Sequence, residues 1–146
     1  MSEEATTLDE QGLERQRIEA CMRRLIELRA AGDVDGLVAY AAPDIVFKTS
    51  IGRAHPFHAE YRGREACAKL VRDVNVNYEN LGSRLNKLVI DGDSIAMHRT
   101  ARIRNRGTGR AVDIDMWNFV KLRDKLIIEF AEYPDTQAFG RLDEVG

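Results

Sequence analysis

The chain has 146 residues, of which 44% are hydrophobic and 32% charged, with a formal net charge of −2. These values are typical of one globular domain with a real core, and they argue against a nucleic-acid partner, because phosphate binding needs clustered positive charge. No apolar run reaches the roughly 18 residues of a membrane span, and the N-terminus lacks the pattern of a secretory signal. We therefore expect a cytoplasmic single domain over 1–146, ordered from about 10 to 140, with no membrane partner.

The first half of the chain predicts three helices and one strand. An apolar stripe at helical spacing, ended by Gly32, indicates a long first helix. Its members are Leu13, Ile18, Cys21, Met22, Leu25 and Leu28. Asp33 is placed to cap a short second helix. The strand Asp44–Ser50, the loop Ile51–Tyr61 and a third helix over 63–76 follow.

The second half predicts a run of strands joined by turns. They are Arg84–Ile90, Ser94–Asn105, Arg110–Leu122 and Leu126–Pro134. Asp91-Gly92 is a strong tight-turn signal between the first two. Strands this long in a small domain curl and enclose space. The element order predicts an α+β fold, with helices packed inside a curled, mostly antiparallel sheet.

Alternation along the strand Arg110–Leu122 separates a buried face from an exposed one. Its even-numbered residues from 112 to 122 are apolar except Asn118, so this face is predicted to be concave and buried. A buried amide needs a hydrogen-bond partner. Either a neighbouring backbone group or a ligand could satisfy Asn118.

The two flanking strands carry the other candidate polar residues. Glu132 shares its parity with the apolar Ile128 and Phe130, so it is predicted to face inward with them. In Ser94–Asn105 the odd-numbered face looks more buried by periodicity alone, but a bulge would change the register. Whether His98 or Arg99 faces the pocket stays open at this point.

The cysteines and the loop histidines carry no metal-site pattern. Cys21 and Cys67 lie in helical patterns without metal-ligand spacing, and we interpret both as small buried hydrophobic residues. His55 and His58 have no nearby aspartate or cysteine to complete a ligand set. We expect this loop to line the mouth of a pocket.

Several local sequences resemble the nuclear transport factor 2-like superfamily, especially its SnoaL-like polyketide cyclase and ketosteroid isomerase branches. The similar stretches are 26–34, Tyr61-Arg62-Gly63-Arg64-Glu65 and 118–124 followed by Ile127 and Tyr133. Lys125 departs from the pattern, where the family often has glycine. The resemblance implies a cone-shaped curled antiparallel sheet wrapped around three helices, with an apolar pocket opening at one end.

The resemblance to ketosteroid isomerase leaves two of its three catalytic roles vacant. Counting from the shared stretches, the helix tyrosine falls on Leu25, the base aspartate on Thr49 and the second aspartate on Asn118. Leucine cannot donate a hydrogen bond and threonine is a poor base. The same count places His98, Asn118 and Glu132 inside the pocket.

By resemblance to SnoaL-like cyclases, we expect cofactor-free and metal-free proton transfer on a small apolar carbonyl or polycyclic compound, by isomerisation, cyclisation or hydration. Glu132 would be the base, His98 the acid or polarising group, and Asn118 the oxyanion donor. An ion pair of Glu132 with His98, Arg99 or Arg102 is the competing structural interpretation. The expected pocket lining is Leu25, Phe47, Thr49, Phe57, His58, Tyr61, Met116 and Phe130.

Two alternatives to this enzyme remain. One is a non-catalytic ligand-binding or dimerisation module of the same fold. The other is an epoxide hydrolase, which in this fold needs an Asp-Arg-Asp set. Arg99 is present, but Ala101 occupies a position where a paired aspartate would be wanted. We rank that activity lower.

Two aromatic residues on the outer face of the sheet point to self-association. Trp117 and Phe119 have the parity opposite to that of Asn118. Large apolar patches on an outer surface usually mark interfaces, and many members of the superfamily dimerise through this face. We therefore expect a homodimer through Trp117 and Phe119.

Overall fold

The computed structural model describes residues 3–144, with their side chains from residue 9 onward. The elements in this range are α1 (Glu3–Ala31), α2 (Val34–Val38), β1 (Ala41–Thr49), β2 (Ala59–Arg62), α3 (Arg64–Asn77), β3 (Tyr78–Asp91), β4 (Ser94–Asn105), β5 (Ala111–Arg123), β6 (Leu126–Pro134) and α4 (Thr136–Leu142). The predicted order is confirmed, with one additional strand, β2, which begins near the end of the predicted loop.

All six strands belong to one sheet in the order β2-β1-β6-β5-β4-β3. Four of the neighbouring pairs are antiparallel, while β1 and β6 run parallel. The fold is therefore α+β with a curled, mostly antiparallel sheet, as predicted, and the β1–β6 pair is its one parallel neighbour pair among the described strands. Because β6 lies between β1 and β5, residues distant in sequence meet on three adjacent strands.

The helices cover the concave face of the sheet. Helix α1 packs on β3, α3 packs on β1, and α4 packs on β4 and β5. One core cluster joins α1 to the sheet through residues such as Met22, Met97 and Val120. A second cluster lies under α4, around Phe139 and Ile114. The space that remains between the helices and the sheet contains the candidate site.

Helix boundaries follow local chemistry. Gly32, at φ 69°, adopts the left-handed conformation that ends α1 without a side-chain clash. One residue later the Asp33 carboxylate accepts a hydrogen bond from the Gly36 amide at 2.8 Å, which caps α2 as predicted.

Alternation on β5 is confirmed. Ile114, Met116, Asn118 and Val120 are buried, whereas Trp117 and its odd-numbered neighbours from 113 to 121 are exposed. This strand is central in the sheet and has uninterrupted pairing with β4, so its side chains keep strict period two.

Irregular pairing overturns two predictions made from alternation and turn signals. The pairing of β5 with β6 shifts between Lys121 and Leu122, so Ile127 is buried in the core in place of Ile128. In β3 the pairing shifts between Asn80 and Ser83, around Gly82 at φ 115°. From the sequence, Asn80-Leu81-Gly82 predicts a turn before the strand Arg84–Ile90, but in the structure it is a bulge inside a longer strand.

Candidate functional site

A cavity of about 150 Å³ lies between the helices and the concave face of the sheet. Most of its wall is apolar, and its lining includes six of the eight expected residues together with Glu132. The six are Leu25, Phe47, Thr49, Phe57, Met116 and Phe130. An apolar cavity of about 150 Å³ holds a molecule the size of benzene, whereas the pockets that bind drug-sized ligands measure about 300–1,000 Å³. The space therefore suits a single ring rather than a polycyclic compound.

Arg99 organises the polar part of the cavity wall. It lies on β4 and only 6% of its surface is exposed. Its Nε donates to Asn118 Oδ1 at 2.7 Å, its Nη1 to Ser83 Oγ at 2.9 Å, and its Nη2 to Glu132 Oε1 at 2.6 Å. Burial lowers the pKa of Arg99, and the charge and hydrogen bond of Glu132 oppose this effect. The pair with Glu132 thus compensates a charge that has been removed from water.

Glu132 reaches the site because β6 lies between β1 and β5. It pairs with Asn118 across the antiparallel ladder and with Thr49 across the parallel one. Its Oε1 accepts from Arg99 and, at 3.4 Å, from the Asn118 amide. Among the described side chains, Oε2 has no hydrogen-bond donor. One carboxylate oxygen is therefore fixed and the other is available to the cavity.

Asn118 does not line the cavity itself but supports the pair behind it. Its side chain is 1% exposed. Besides accepting from Arg99, its amide nitrogen donates to the Ala131 carbonyl at 3.4 Å. Of the two alternatives for this amide, the structure favours satisfaction by protein groups.

Arg29, a residue that sequence reasoning missed, also borders the cavity. It lies in the last turn of α1, and its Nη1 donates to Asn75 Oδ1 on α3 at 2.5 Å. Burial lowers its pKa, while the charge of Glu132 raises it and that of Arg99 lowers it further. One signal was present in the sequence, since Arg29 stands four residues after the buried Leu25 and so shares its helix face.

Thr49 fixes the loop that closes one side of the cavity. Its hydroxyl donates to the Phe57 carbonyl and accepts from the Ala59 amide at 3.2 Å. Tyr61 donates to the same Phe57 carbonyl at 3.1 Å. The comparison with ketosteroid isomerase places a base aspartate at Thr49. In this structure the Thr49 side chain instead holds the backbone of the loop in position.

His98 does not face the cavity, which corrects the inward placement taken from the family count. Its ring stacks on Trp117, with centroids 5.0 Å apart, on the opposite face of the sheet. Its Nε2 lies 3.8 Å from the exposed Asp115 carboxylate. The pairing of β4 with β5 contains no bulge, so simple alternation holds and Arg99 faces inward. The proposed convergence of His98, Asn118 and Glu132 is therefore wrong.

His58 and Tyr61 are likewise not among the residues that line the cavity. His58 accepts a hydrogen bond from the Gly52 amide through Nδ1, and Tyr61 packs against the core cluster under α1. Both belong to the loop and strand outside the cavity wall, because Thr49 draws the loop towards β1.

A second polar cluster stands beside the cavity. Tyr78, which lines the cavity, donates to Asp143 Oδ1 at 2.6 Å. His55 Nε2 lies 3.3 Å from the Tyr78 hydroxyl and 3.3 Å from Asp143 Oδ2. Burial and the bond to Asp143 raise the pKa of Tyr78 well above its ordinary range. These contacts fasten α4 to β3.

Two searches of the described residues bear on metals and membranes. Within 9–144, the range whose side chains the structure describes, no three His, Cys, Asp or Glu side chains meet in an arrangement that would hold a metal ion. None of the helices described within 3–144 is long and apolar enough to span a membrane.

Residues 22–130, which include most of the cavity wall, match the SnoaL-like domain family. The chain belongs to this family. No curated protein matches this SnoaL-like chain in sequence. Its family membership confirms the resemblance drawn from the sequence.

Solved structures similar to this SnoaL-like domain share its fold. An NTF2-like protein from Burkholderia xenovorans is 22% identical with a TM-score of 0.70, over 89% of this chain and 97% of that one. A protein with a ketosteroid isomerase-like fold from Catenulispora acidiphila, in complex with trimethylamine, is 15% identical with a TM-score of 0.72, over 83% and 89%. An LEH-like epoxide hydrolase from M. tuberculosis is 18% identical with a TM-score of 0.67, over 86% and 87%. At these identities the similarity establishes the fold alone.

Proposed function

We propose that this SnoaL-like domain binds a small, mainly apolar molecule that carries one hydrogen-bond-accepting oxygen. The observation that supports this proposal is the asymmetry of the cavity, whose apolar wall is interrupted by Arg29, Arg99 and Glu132. An apolar pocket with a few convergent polar groups is the usual form of a small-molecule site. The oxygen of the ligand would face the guanidinium groups, and its hydrocarbon part would contact residues such as Phe47 and Phe130.

Binding is favoured over the three-residue proton-transfer mechanism for a geometric reason. His98 lies on the other face of the sheet, and the Asn118 amide is used by protein partners. Glu132 is held by Arg99 through Oε1. The three predicted residues, His98, Asn118 and Glu132, therefore do not bring both an acid and a base to the cavity.

A blocked-cavity variant tests the proposal. Thermal unfolding would be followed with and without acetophenone, which has one ring and one carbonyl oxygen. Val74→Phe adds bulk at the cavity wall, whereas Val76→Phe adds the same bulk at a position of α3 that is 73% exposed. We expect acetophenone to raise the Tm of wild type and of Val76→Phe, and not of Val74→Phe. An equal shift in all three proteins would contradict binding in this cavity.

A cofactor-free enzyme remains the second candidate, supported by the Oε2 atom of Glu132. A carboxylate oxygen with no donor in the described protein is able to take a proton from a bound carbonyl compound or from water. Two of the structural neighbours are named as proposed isomerases, and one as an LEH-like epoxide hydrolase. Ring opening of an epoxide is the weaker possibility here, because Ala101, the next inward residue on β4, offers no acid.

Hydrogen exchange distinguishes catalysis from binding. In D2O, a base at Glu132 would exchange the methyl protons of acetophenone, which NMR detects. If wild type accelerates this exchange, we expect the exchange rate with Glu132→Gln to be at least about 10²-fold lower than with wild type. His98→Ala, on the outer face, is the matched control and should leave that rate unchanged. If wild type exchanges no faster than buffer, the binding function stands alone.

The exposed aromatic residues support a proposal of self-association. Trp117, Phe119 and Tyr133 are 43%, 38% and 49% exposed on the outer face of adjacent strands. We propose that a second copy of the chain covers them. Light scattering with size-exclusion chromatography would give a dimer mass for wild type and for the Val76→Glu control, and a monomer mass for Trp117→Glu/Phe119→Glu. A monomer mass for wild type at every protein concentration would contradict the proposed dimer.

A further inference from the structure

The polar part of the cavity contains more positive than negative charge. Arg29, Arg99 and Glu132 all border the same cavity, which gives two cations and one anion. Arg99 and Glu132 neutralise one another at 2.6 Å. Arg29 has a hydrogen bond to the neutral amide of Asn75, and no described carboxylate forms an ion pair with it. One positive charge is thus left without a counterion.

This arrangement is unfavourable in the empty protein. Arg29 is half-buried, and a charge that is partly removed from water is costly unless it is paired. Arginine cannot escape this cost by losing its proton. The surroundings of Arg29 disfavour its charged form. Burial and the nearby Arg99 both lower the pKa of Arg29, and only the charge of Glu132 raises it. Asn75 supplies a dipole in place of a charge. The missing partner is an anion.

We propose that the ligand of this cavity is an apolar monocarboxylate of about one ring in size, whose carboxylate pairs with Arg29. The proposal rests on the proposed binding function and names the chemical class of the ligand. The size follows from the cavity of about 150 Å³. The apolar body of the acid would lie against the wall around Leu25 and Phe130.

A carboxylate suits the site better than a phosphate for two reasons. The excess is a single positive charge, which a monoanion balances, whereas a phosphate dianion would bring a second negative charge close to Glu132. In addition, the planar fork of a guanidinium matches the two oxygens of a carboxylate. The three nitrogens of Arg99 already donate to Asn118, Ser83 and Glu132. Among the described residues, Arg29 has a hydrogen bond to Asn75 alone, so Arg29 is the group that would receive the carboxylate.

Isosteric ligand pairs test the charge requirement. Calorimetry would compare benzoate with benzamide, and phenylacetate with phenylacetamide, at neutral pH. The proteins would be wild type, Arg29→Gln and Arg24→Gln, the last of which removes an exposed charge from the same helix. A hydrogen-bonded charge pair predicts that wild type and Arg24→Gln bind the acids at least about tenfold more tightly than the amides. Arg29→Gln should lose this preference.

Thermal unfolding of the ligand-free proteins gives an independent readout. Because Arg29 is an unpaired charge in the empty cavity, Arg29→Gln should have a Tm equal to or above that of wild type. Arg29→Met removes the same charge and replaces Arg29→Gln in this measurement if the glutamine variant fails to fold. A fall in Tm for both variants would overturn the claim that Arg29 lacks a counterion.

The outcomes separate this inference from the proposed function. If wild type binds acid and amide with equal affinity, the proposal that the ligand is an anion is wrong. Binding of acetophenone would still support an apolar ligand site. A preference for acids that survives in Arg29→Gln overturns the role of Arg29. If neither acids, amides nor acetophenone bind wild type, both proposals are wrong for ligands of this size.

Discussion

Arg99 Nη2 lies 2.6 Å from Glu132 Oε1, although their strands, β4 and β6, are separated by β5. The length of the arginine side chain spans the intervening strand, and Asn118 of β5 contacts both partners. The ion pair therefore ties three strands together on the concave face. It also fixes the orientation of the carboxylate that faces the cavity.

Breaking this pair from the arginine side should be strongly destabilising. Arg99→Met leaves the Glu132 carboxylate without the guanidinium that pairs with it and the Asn118 oxygen without its donor. We therefore expect a loss of about 3–5 kcal/mol in the free energy of unfolding. Urea denaturation measures it. Arg102 lies on the same strand as Arg99 and forms an exposed ion pair with Asp113. Arg102→Met should lower the free energy of unfolding by less than about 1 kcal/mol. Similar losses in the two variants would contradict a structural role for the buried pair.

Tyr78 should make stability depend on pH in the alkaline range. Its pKa is raised in the folded protein, so above about pH 10, where an unfolded tyrosine ionises, the folded state keeps the proton longer. The contribution of Tyr78 is thus complete below pH 10 and is lost as pH rises further. We expect Tyr78→Phe to show a shallower alkaline loss of stability than wild type in urea titrations.

A matched tyrosine controls for general alkaline denaturation. Tyr40 packs against the core cluster, away from the outer face of the sheet, and Tyr40→Phe should retain the alkaline slope of wild type. At neutral pH, Tyr78→Phe should cost about 1–3 kcal/mol, because Asp143 loses a hydrogen-bond donor. Identical slopes in all three proteins would be evidence against a perturbed Tyr78.

The turn between β5 and β6 offers a stabilising substitution. Asp124 and Lys125 have φ values of 51° and 67°, the left-handed region in which a side chain costs about 1–2 kcal/mol per residue. Lys125→Gly should raise the free energy of unfolding by about 1 kcal/mol, after allowance for the greater freedom of glycine in the unfolded chain. Lys125→Ala keeps the Cβ atom and should give no gain. A gain of equal size from alanine would mean that charge, not conformation, is responsible.

Cys67 should be chemically unreactive in the folded protein. It is 6% exposed, its Sγ lies 3.8 Å from the Tyr61 carbonyl oxygen, and burial raises the pKa of its thiol. We expect alkylation by iodoacetamide at pH 8 to be at least about tenfold slower than in urea, as measured by mass spectrometry of the Cys67 peptide. A native rate equal to the rate in urea would show that the thiol is accessible.

Local patterns predicted the elements of this fold because each pattern has a local physical cause. The alternation on β5 identified the buried face around Asn118, and Asp33 and Gly32 marked helix boundaries correctly. The same logic on β4 favoured Arg99 as the inward residue. The family count favoured His98, and it failed because residue counts carried between distant relatives do not preserve which face a side chain occupies.

Other features depended on pairings that no local pattern encodes. The shift between β5 and β6 that buries Ile127 arises from how two strands meet, and β2 forms only because β1 is available to pair with it. The sequence by itself determined the α+β class and the apolar concave face, since these follow from periodicity, and its local stretches carried the resemblance that identified the family. Only the tertiary structure decided that Arg29 joins Arg99 and Glu132, because the packing of α1 and α3 against the sheet sets the distances between charges far apart in sequence.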